Sequence, residues 1–314
     1  MTDEIAVRTL AELEAHGMGR REVLAATKRK EFRRLNRGVY VRESDWKAHF
    51  TEGRQRANGR AAAKVFRDPQ VFALHTSAAF QELPLFRVRG EDERVHTVTT
   101  AAAPNTSFVV RHEMTLTEAD IIRRNGLLMT SLERTVFDLI RILPLEAGIA
   151  LADAALRQRE EEADGGAEAL RASLLERIAR APGARGIRRA RAVIAFADHR
   201  ADSPGESAGR WYLHVLGFKD VGIQVPFPGP NGRDYALDFK FRRGIGELDG
   251  AAKYKDPRFL AGRTPEQALI DEKRREDWIR GRTQEPFVRW MDGDMPNADA
   301  LGRFLARFGI IPPG

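Results

Sequence analysis

Three acids in the last third of the chain have the types and spacing that phosphodiester hydrolysis needs. Asp238 lies in Tyr235–Phe241, whose alternation predicts a strand with Tyr235, Leu237, Phe239 and Phe241 on one face and Asp238 and Lys240 on the other. Glu247 falls on the next predicted strand, Ile245–Leu248, after the turn Arg242-Arg-Gly, and Glu206 opens the helix before them. Breaking a phosphodiester calls for a hard cation that polarises the phosphate and activates water. Mg²⁺ (or Mn²⁺) takes carboxylate oxygens, with water completing its shell. Two carboxylates on adjacent strands can converge on one ion, so Asp238 and Glu247 are the expected metal ligands and Glu206 the third catalytic acid. Each has a plainer reading too, which for Asp238 is a surface aspartate. Glu206 stands three residues after Ser203, with Pro204 between, which is also the spacing of a helix cap. Glu247-x-Asp249-Gly250 also suits a hairpin end.

A second cluster is cationic. Lys28-Arg-Lys-Glu-Phe-Arg-Arg-Leu-Asn-Arg37 carries six cations and one anion. Arg20 and Arg21 stand at the start of a predicted helix, the end that enters the major groove in a helix-turn-helix. Arginines there can pair with guanine edges, while Lys28, Arg29, Lys30, Arg33, Arg34 and Arg37 suit phosphates. A solvated charged face is the competing reading. The formal net charge is +7, and residues 1–67 hold sixteen Lys/Arg against nine Asp/Glu. The whole surplus therefore lies in that segment, which points to a dedicated surface for a polyanion such as DNA.

The elements that must position these groups follow from periodicity. Val7 to Val41 reads as helix, turn, helix and strand, with Gly38 as a turn or bulge, and Arg42–Arg67 as a polar connection with room for a helix. Val71–Leu74, Val95–Thr99 and Phe108–His112 read as strands, and Thr76 or Ser77 as the cap of a helix through Phe80. Thr130-Ser-Leu-Glu133 reads as a capping box, followed by helices near Leu145–Arg159, Ala167–Arg180 and Gly186–Ala197. The acidic stretch Glu160-Glu-Glu-Ala-Asp-Gly-Gly reads as a linker. From Ser203 the order is helix, strand, strand, strand, helix, strand. At 314 residues the chain exceeds one ordinary core. The expected class is α+β and multi-domain, divided at 1–67, 68–200 and 201–314.

Several classes are excluded. The chain has no cysteine, so disulfides, thiolate zinc sites and cysteine nucleophiles are out. No apolar run approaches the ~20 residues that span a bilayer, and the N terminus lacks a signal-peptide pattern. The expected location is the cytoplasm. There is no P-loop motif and no Gly-x-Ser-x-Gly elbow; Gly244-Ile-Gly246 fails the dinucleotide fingerprint, and the seven histidines show no metal spacing.

Residues 7–42, ending in Arg33-Arg-Leu-Asn-Arg-Gly-Val-Tyr40, together with Leu74-His-Thr-Ser-Ala-Ala79 and Gly126-Leu-Leu-Met-Thr-Ser-Leu-Glu-Arg-Thr-Val-Phe-Asp138, resemble AbiEi-type antitoxin domains of type IV toxin–antitoxin systems. The resemblance implies a winged helix binding operator DNA and an α/β middle domain. It also implies a cognate toxin of the nucleotidyltransferase class. Residues of about 200–295 resemble the PD-(D/E)XK nuclease superfamily, most closely its Vsr-like branch, which implies a restriction-endonuclease-like core. The pieces are Ser203-Pro-Gly-Glu-Ser207, Leu237-Asp-Phe239, Glu247-Leu-Asp-Gly250, Lys253-Tyr254 and Glu272-Lys-Arg-Arg-Glu-Asp277. That superfamily usually carries a lysine two residues after the glutamate; here the position is Asp249. Lys253, or else Lys273, is the candidate to supply the catalytic cation. Two functions stand open: a metal-dependent DNA endonuclease, and an antitoxin-like regulator whose nuclease fold is not catalytic.

Overall fold

Thr9 sets where the first helix begins. Its hydroxyl accepts the N–H of Glu12 at 3.1 Å, and Glu12 accepts the N–H of Thr9 at 2.7 Å. In the computed structural model, which describes residues 4–88, 93–99, 104–249 and 264–313, β1 (Arg8–Thr9) leads into α1 (Leu10–Ala15) and α2 (Arg20–Lys28). β2 (Phe32–Asn36) and β3 (Val39–Arg42) form an antiparallel hairpin, and β1 pairs with the far side of β3. Gly38, at φ +71°, is thus the turn between two strands, while the register irregularity falls at Arg34/Asn36. Leu13, Val23, Ala26, Phe32 and Tyr40 form the small core.

The polar stretch that follows is two helices, α3 (Glu43–Ala48) and α4 (Thr51–Val65). Small residues let α4 approach closely: a Cβ on Gly59 would stand 2.6 Å from the ring of Phe80. Next come β4 (Val71–Phe72), α5 (Leu74–Phe80), β5 (Val95–Thr99), β6 (Val109–Glu113), β7 (Ile121–Arg124) and β8 (Leu127–Thr130). Their sheet has the order β6-β5-β4-β8-β7 and mixes parallel and antiparallel pairs. Thr76 and Ser77 do not cap α5, which begins ahead of them. Thr76 accepts the N–H of His96 at 2.9 Å, and Ser77 donates to the carbonyl of Thr130 at 3.1 Å.

Ser131, not Thr130, caps α6 (Leu132–Ile140) by accepting the N–H of Arg134. α7 (Leu145–Glu162), α8 (Gly166–Ala179) and α9 (Ile187–Phe196) complete the largest core, built on Leu139, Ile140, Ile149, Leu156 and Leu174. The acidic stretch is not a linker. α7 runs through it to Glu162, and the carboxylate of Glu160 accepts the N–H groups of Gly165 and Ala167, satisfying orphan donors at the start of α8.

The last unit holds α10 (Pro204–Val215), β9 (Gly222–Pro228), β10 (Asp234–Lys240), β11 (Ile245–Asp249), α11 (Pro265–Thr283), β12 (Phe287–Met291) and α12 (Ala298–Ala306). The helix–strand–strand–strand–helix–strand order matches the sequence expectation, and α12 follows it. β9, β10 and β11 form an antiparallel meander, and β12 returns parallel to β11. The chain is α+β, with three sheets set on distinct cores, as in a multi-domain protein. Two of the polar contacts that join the last unit to the chain before it use arginines. Arg210 of α10 pairs with Asp153 of α7 at 2.8 Å, where Asp153 is fully buried. Arg87 donates to the hydroxyl of Tyr212 and to the carbonyls of Met295 and Pro296, each at 2.9 Å. No helix among the described residues is long and apolar enough to cross a membrane.

Candidate functional site

Glycines bring the first acid onto the sheet. A Cβ on Gly205 would collide with Leu248 of β11, and one on Gly209, a turn later, would press on the ring of Phe239. α10 can therefore lie close against the sheet and carry Glu206 to its surface. Ser203 caps the helix by accepting the N–H of Glu206 at 3.1 Å, and its hydroxyl donates back to Glu206 Oε1 at 2.9 Å. Oε2 accepts from the N–H of Asp202 at 3.1 Å and from Gln224 Nε2 at 2.7 Å. The cap and the buried acid are thus one residue. Burial pushes the Glu206 carboxyl above its usual range, and the charge of Asp238 adds to the effect.

Asp238 stands where the strand turns over. Tyr235 and Leu237 pack with Ile279 of α11, whereas Phe239 and Phe241 pack with Tyr212, Leu213 and Leu301 of α10 and α12. The strict alternation expected from sequence, with all four on one face, is broken at Asp238. Opposite it in the β9 register is Gln224, whose φ is +48°. Beyond this point β10 and β11 part: among the described residues they pair at Phe239↔Gly246 and Lys240↔Ile245 only. Asp238 Oδ2 then accepts the N–H of Leu248 at 2.9 Å, so a side chain takes over where the ladder stops.

Glu247 is buried beside this opening. The parallel register Glu247↔Arg289 puts Arg289 next to it, with Nη2 at 3.2 Å from Oε2. From α11, Arg275 Nη1 approaches Oε1 at 2.5 Å. Arg289 also meets Asp249 at 3.4 Å, Glu272 at 3.1 Å and Glu276 at 3.4 Å. Glu272, Arg275 and Glu276 share one face of α11 by their spacing of three and four residues. Despite two guanidinium partners, burial and the nearby charge of Asp238 push the Glu247 carboxyl up to about 7. Desolvation outweighs the arginines here.

The donor set suits a hard cation in its chemistry, since all three acids offer carboxylate oxygen and Asp238 repels both glutamates. No group of three or more His, Asp or Glu residues among those described is arranged to hold a metal ion. A Mg²⁺ ion commonly uses only one or two carboxylates, the rest of its shell being water. Of the expected pair, Glu247 has an arginine at each of its oxygens, and Asp238 Oδ2 accepts the N–H of Leu248. Lys253, with Gly250 and Tyr254 of the same motifs, lies outside the described residues. Lys273 is exposed on α11.

No family model matches the chain. It is similar to two uncharacterized proteins of Mycobacterium tuberculosis, MT2308 of strain CDC 1551 / Oshkosh and Rv2248 of strain ATCC 25618 / H37Rv. Each is 30% identical over 156 residues, which cover 50% of this chain and 52% of the relative. The chain spans about half the length of these curated relatives.

The structure divides the eight cations expected to contact DNA. Arg29 is paired with Glu31 at 2.6 Å, and Arg33 makes a two-pronged pair with Glu43 at 2.9 Å while lying over the ring of Trp46. Arg20, Arg21, Lys28, Lys30, Arg34 and Arg37 are exposed and form no ion pair among the described residues. α2 buries Val23 and Ala26 and exposes Arg20, Arg21, Leu24 and Lys28 on the other side. An exposed leucine between cations gives that face an apolar contact as well as charge. Sequence reading missed two arginines of the acidic site. Arg289 sits in Phe287-Val-Arg-Trp290 as one polar residue on a strand, with nothing local to mark it. Arg275, inside the motif Glu272-Lys-Arg-Arg-Glu-Asp277, reaches Glu247 on β11, while Glu272 meets Arg289.

Proposed function

We propose that the protein binds DNA through its basic N-terminal module and hydrolyses it at the carboxylates of its last unit, as a Mg²⁺- or Mn²⁺-dependent endonuclease of the cytoplasm. One observation carries the reading: Glu206, Asp238 and Glu247, from a helix and two parting strands, are all buried, with Glu206 held by Gln224 of β9 and Asp238 by the N–H of Leu248, next to Glu247. Gathering like charges away from water costs stability, and carboxylates perturbed in this way cluster at functional sites. Asp238 and Glu247 would hold the metal ion, whose chemistry here would be to polarise the scissile phosphate and generate a nucleophilic water. Glu206, held by Gln224 and the backbone of Asp202, keeps a fixed carboxyl beside Asp238. Arg275 and Arg289 orient Glu247 and offset its charge. On the N-terminal side, the helix–helix–hairpin order supports a winged helix. α2 would lie in the major groove, and Arg34 and Arg37 of the hairpin would meet phosphate.

A second reading has its own support. Arg275 and Arg289 already compensate Glu247, and Asp249 stands where a lysine is usual. On that reading the last unit is a non-catalytic fold in an antitoxin-like regulator, which binds its own promoter and a cognate toxin. Incubating the protein with duplex, single-stranded and mismatched DNA in Mg²⁺ or Mn²⁺ separates the two. Cleavage supports the endonuclease, and its absence beside salt-sensitive promoter binding supports the regulator.

A further inference from the structure

A cleft of about 240 Å³ opens between α4, the end of α5 and the β7–β8 turn, far in sequence from the acidic site. Its apolar wall is Phe80, Leu127 and Met129, with Phe80 and Met129 buried. Three cations line it as well: Arg60 and Lys64 from α4, and Arg124 from β7. Each pairs with an acid, Arg60 with Glu4, Lys64 with Glu12 and Arg124 with Glu82. Those acids are 49%, 44% and 66% exposed. Ion pairs so open to water are worth about 0–1 kcal/mol each, so the cations can exchange partners at little cost.

We propose that this cleft is a binding site for a small organic anion: a carboxylate on a single flat or branched apolar body. The size sets the upper limit, because pockets for drug-sized ligands begin at roughly 300 Å³. One ring-sized body fits within the space. A bare phosphate would answer the cations and leave Phe80, Leu127 and Met129 uncovered. A neutral ring would cover that wall and leave the cations as they are. Only a molecule with both parts uses all six residues. Guanidinium groups from opposite sides of the cleft, on Arg60 and Arg124, suit the planar carboxylate. The site stands independently of whether the last unit cleaves DNA.

Calorimetric titration of the full chain with benzoate tests this, with inorganic phosphate and benzyl alcohol as comparison ligands. Benzoate is expected to bind saturably, with phosphate and benzyl alcohol each at least about tenfold weaker, or about 1.4 kcal/mol. Arg124→Gln and Lys64→Gln, each losing one exposed ion pair and expected to change thermal unfolding little, are each expected to weaken benzoate by about tenfold. Absence of saturable benzoate binding would overturn the proposal. So would binding that both variants retain in full, or phosphate that binds as well as benzoate.

Discussion

Arg289 touches Glu247 across a parallel strand pair at 3.2 Å, and the same guanidinium meets Asp249, Glu272 and Glu276 within 3.4 Å. One cation therefore ties β11, β12 and α11 together at the edge of the acidic site. Replacing Arg289 with methionine removes that tie and leaves buried Glu247 to Arg275. Chemical denaturation at neutral pH is expected to show a loss on the order of 3 kcal/mol. The loss should be smaller near pH 5, where Glu247, pushed up to about 7, is already protonated and leaves no charge to strand.

Glu247 makes its own contribution to the pH dependence of stability. Its folded value of about 7 exceeds the ordinary 4.5, so between those limits the folded protein binds more protons than the unfolded chain. Stability contributed by this group is full below the ordinary value and is lost as pH rises through the folded one, by about 3 kcal/mol for a shift of this size. Denaturant midpoints of the metal-free protein should fall across that window, and Glu247→Gln should flatten the fall. A profile that Glu247→Gln leaves unchanged would show that another group titrates there.

Asp153 and Arg210 form the buried joint between α7 and α10. Removing one partner strands a charge away from water. Asp153→Ala is expected to cost about 3–5 kcal/mol, measured by denaturant unfolding. Changing both residues to apolar side chains of similar volume should cost much less, which distinguishes an uncompensated charge from a packing defect.

The cations of the N-terminal module should separate in salt titrations of DNA binding. Arg34→Ala and Arg37→Ala are each expected to weaken binding and reduce the slope of log affinity against log salt by about 0.9. Arg33→Ala should change the slope less, because Glu43 and Trp46 hold that side chain. Equal slopes for all three would refute the division between exposed and paired arginines.

Much of the framework was legible in the sequence because it rests on local patterns. Thr264 and Gln267 form a local cap that opens α11, and Ser203 caps α10. The order of elements from Glu206 to Trp290 follows from period and turns. What could not be read arises across strands. The reversal of faces at Asp238 accompanies a backbone change at Gln224, on another strand. The partners of Arg289 are chosen by the β11–β12 register and by the face that α11 presents. α4 is rich in small and polar residues, a composition that reads as exposed, yet Gln55 and Asn58 bury their amides by donating to the carbonyls of Arg94 and Glu93. The acidic run after Arg159 looks like a linker, but Glu160 spends its charge on the first N–H groups of α8.

The endonuclease reading rests most directly on Asp238, which stands between the two glutamates where the strands part. The decisive measurement is cleavage of supercoiled, single-stranded and mismatched DNA with Mg²⁺ or Mn²⁺, by the native protein and by Asp238→Ala. The expected result is divalent-dependent cleavage that Asp238→Ala abolishes while DNA binding persists. No cleavage of any of these DNAs, or cleavage that survives Asp238→Ala, would contradict it.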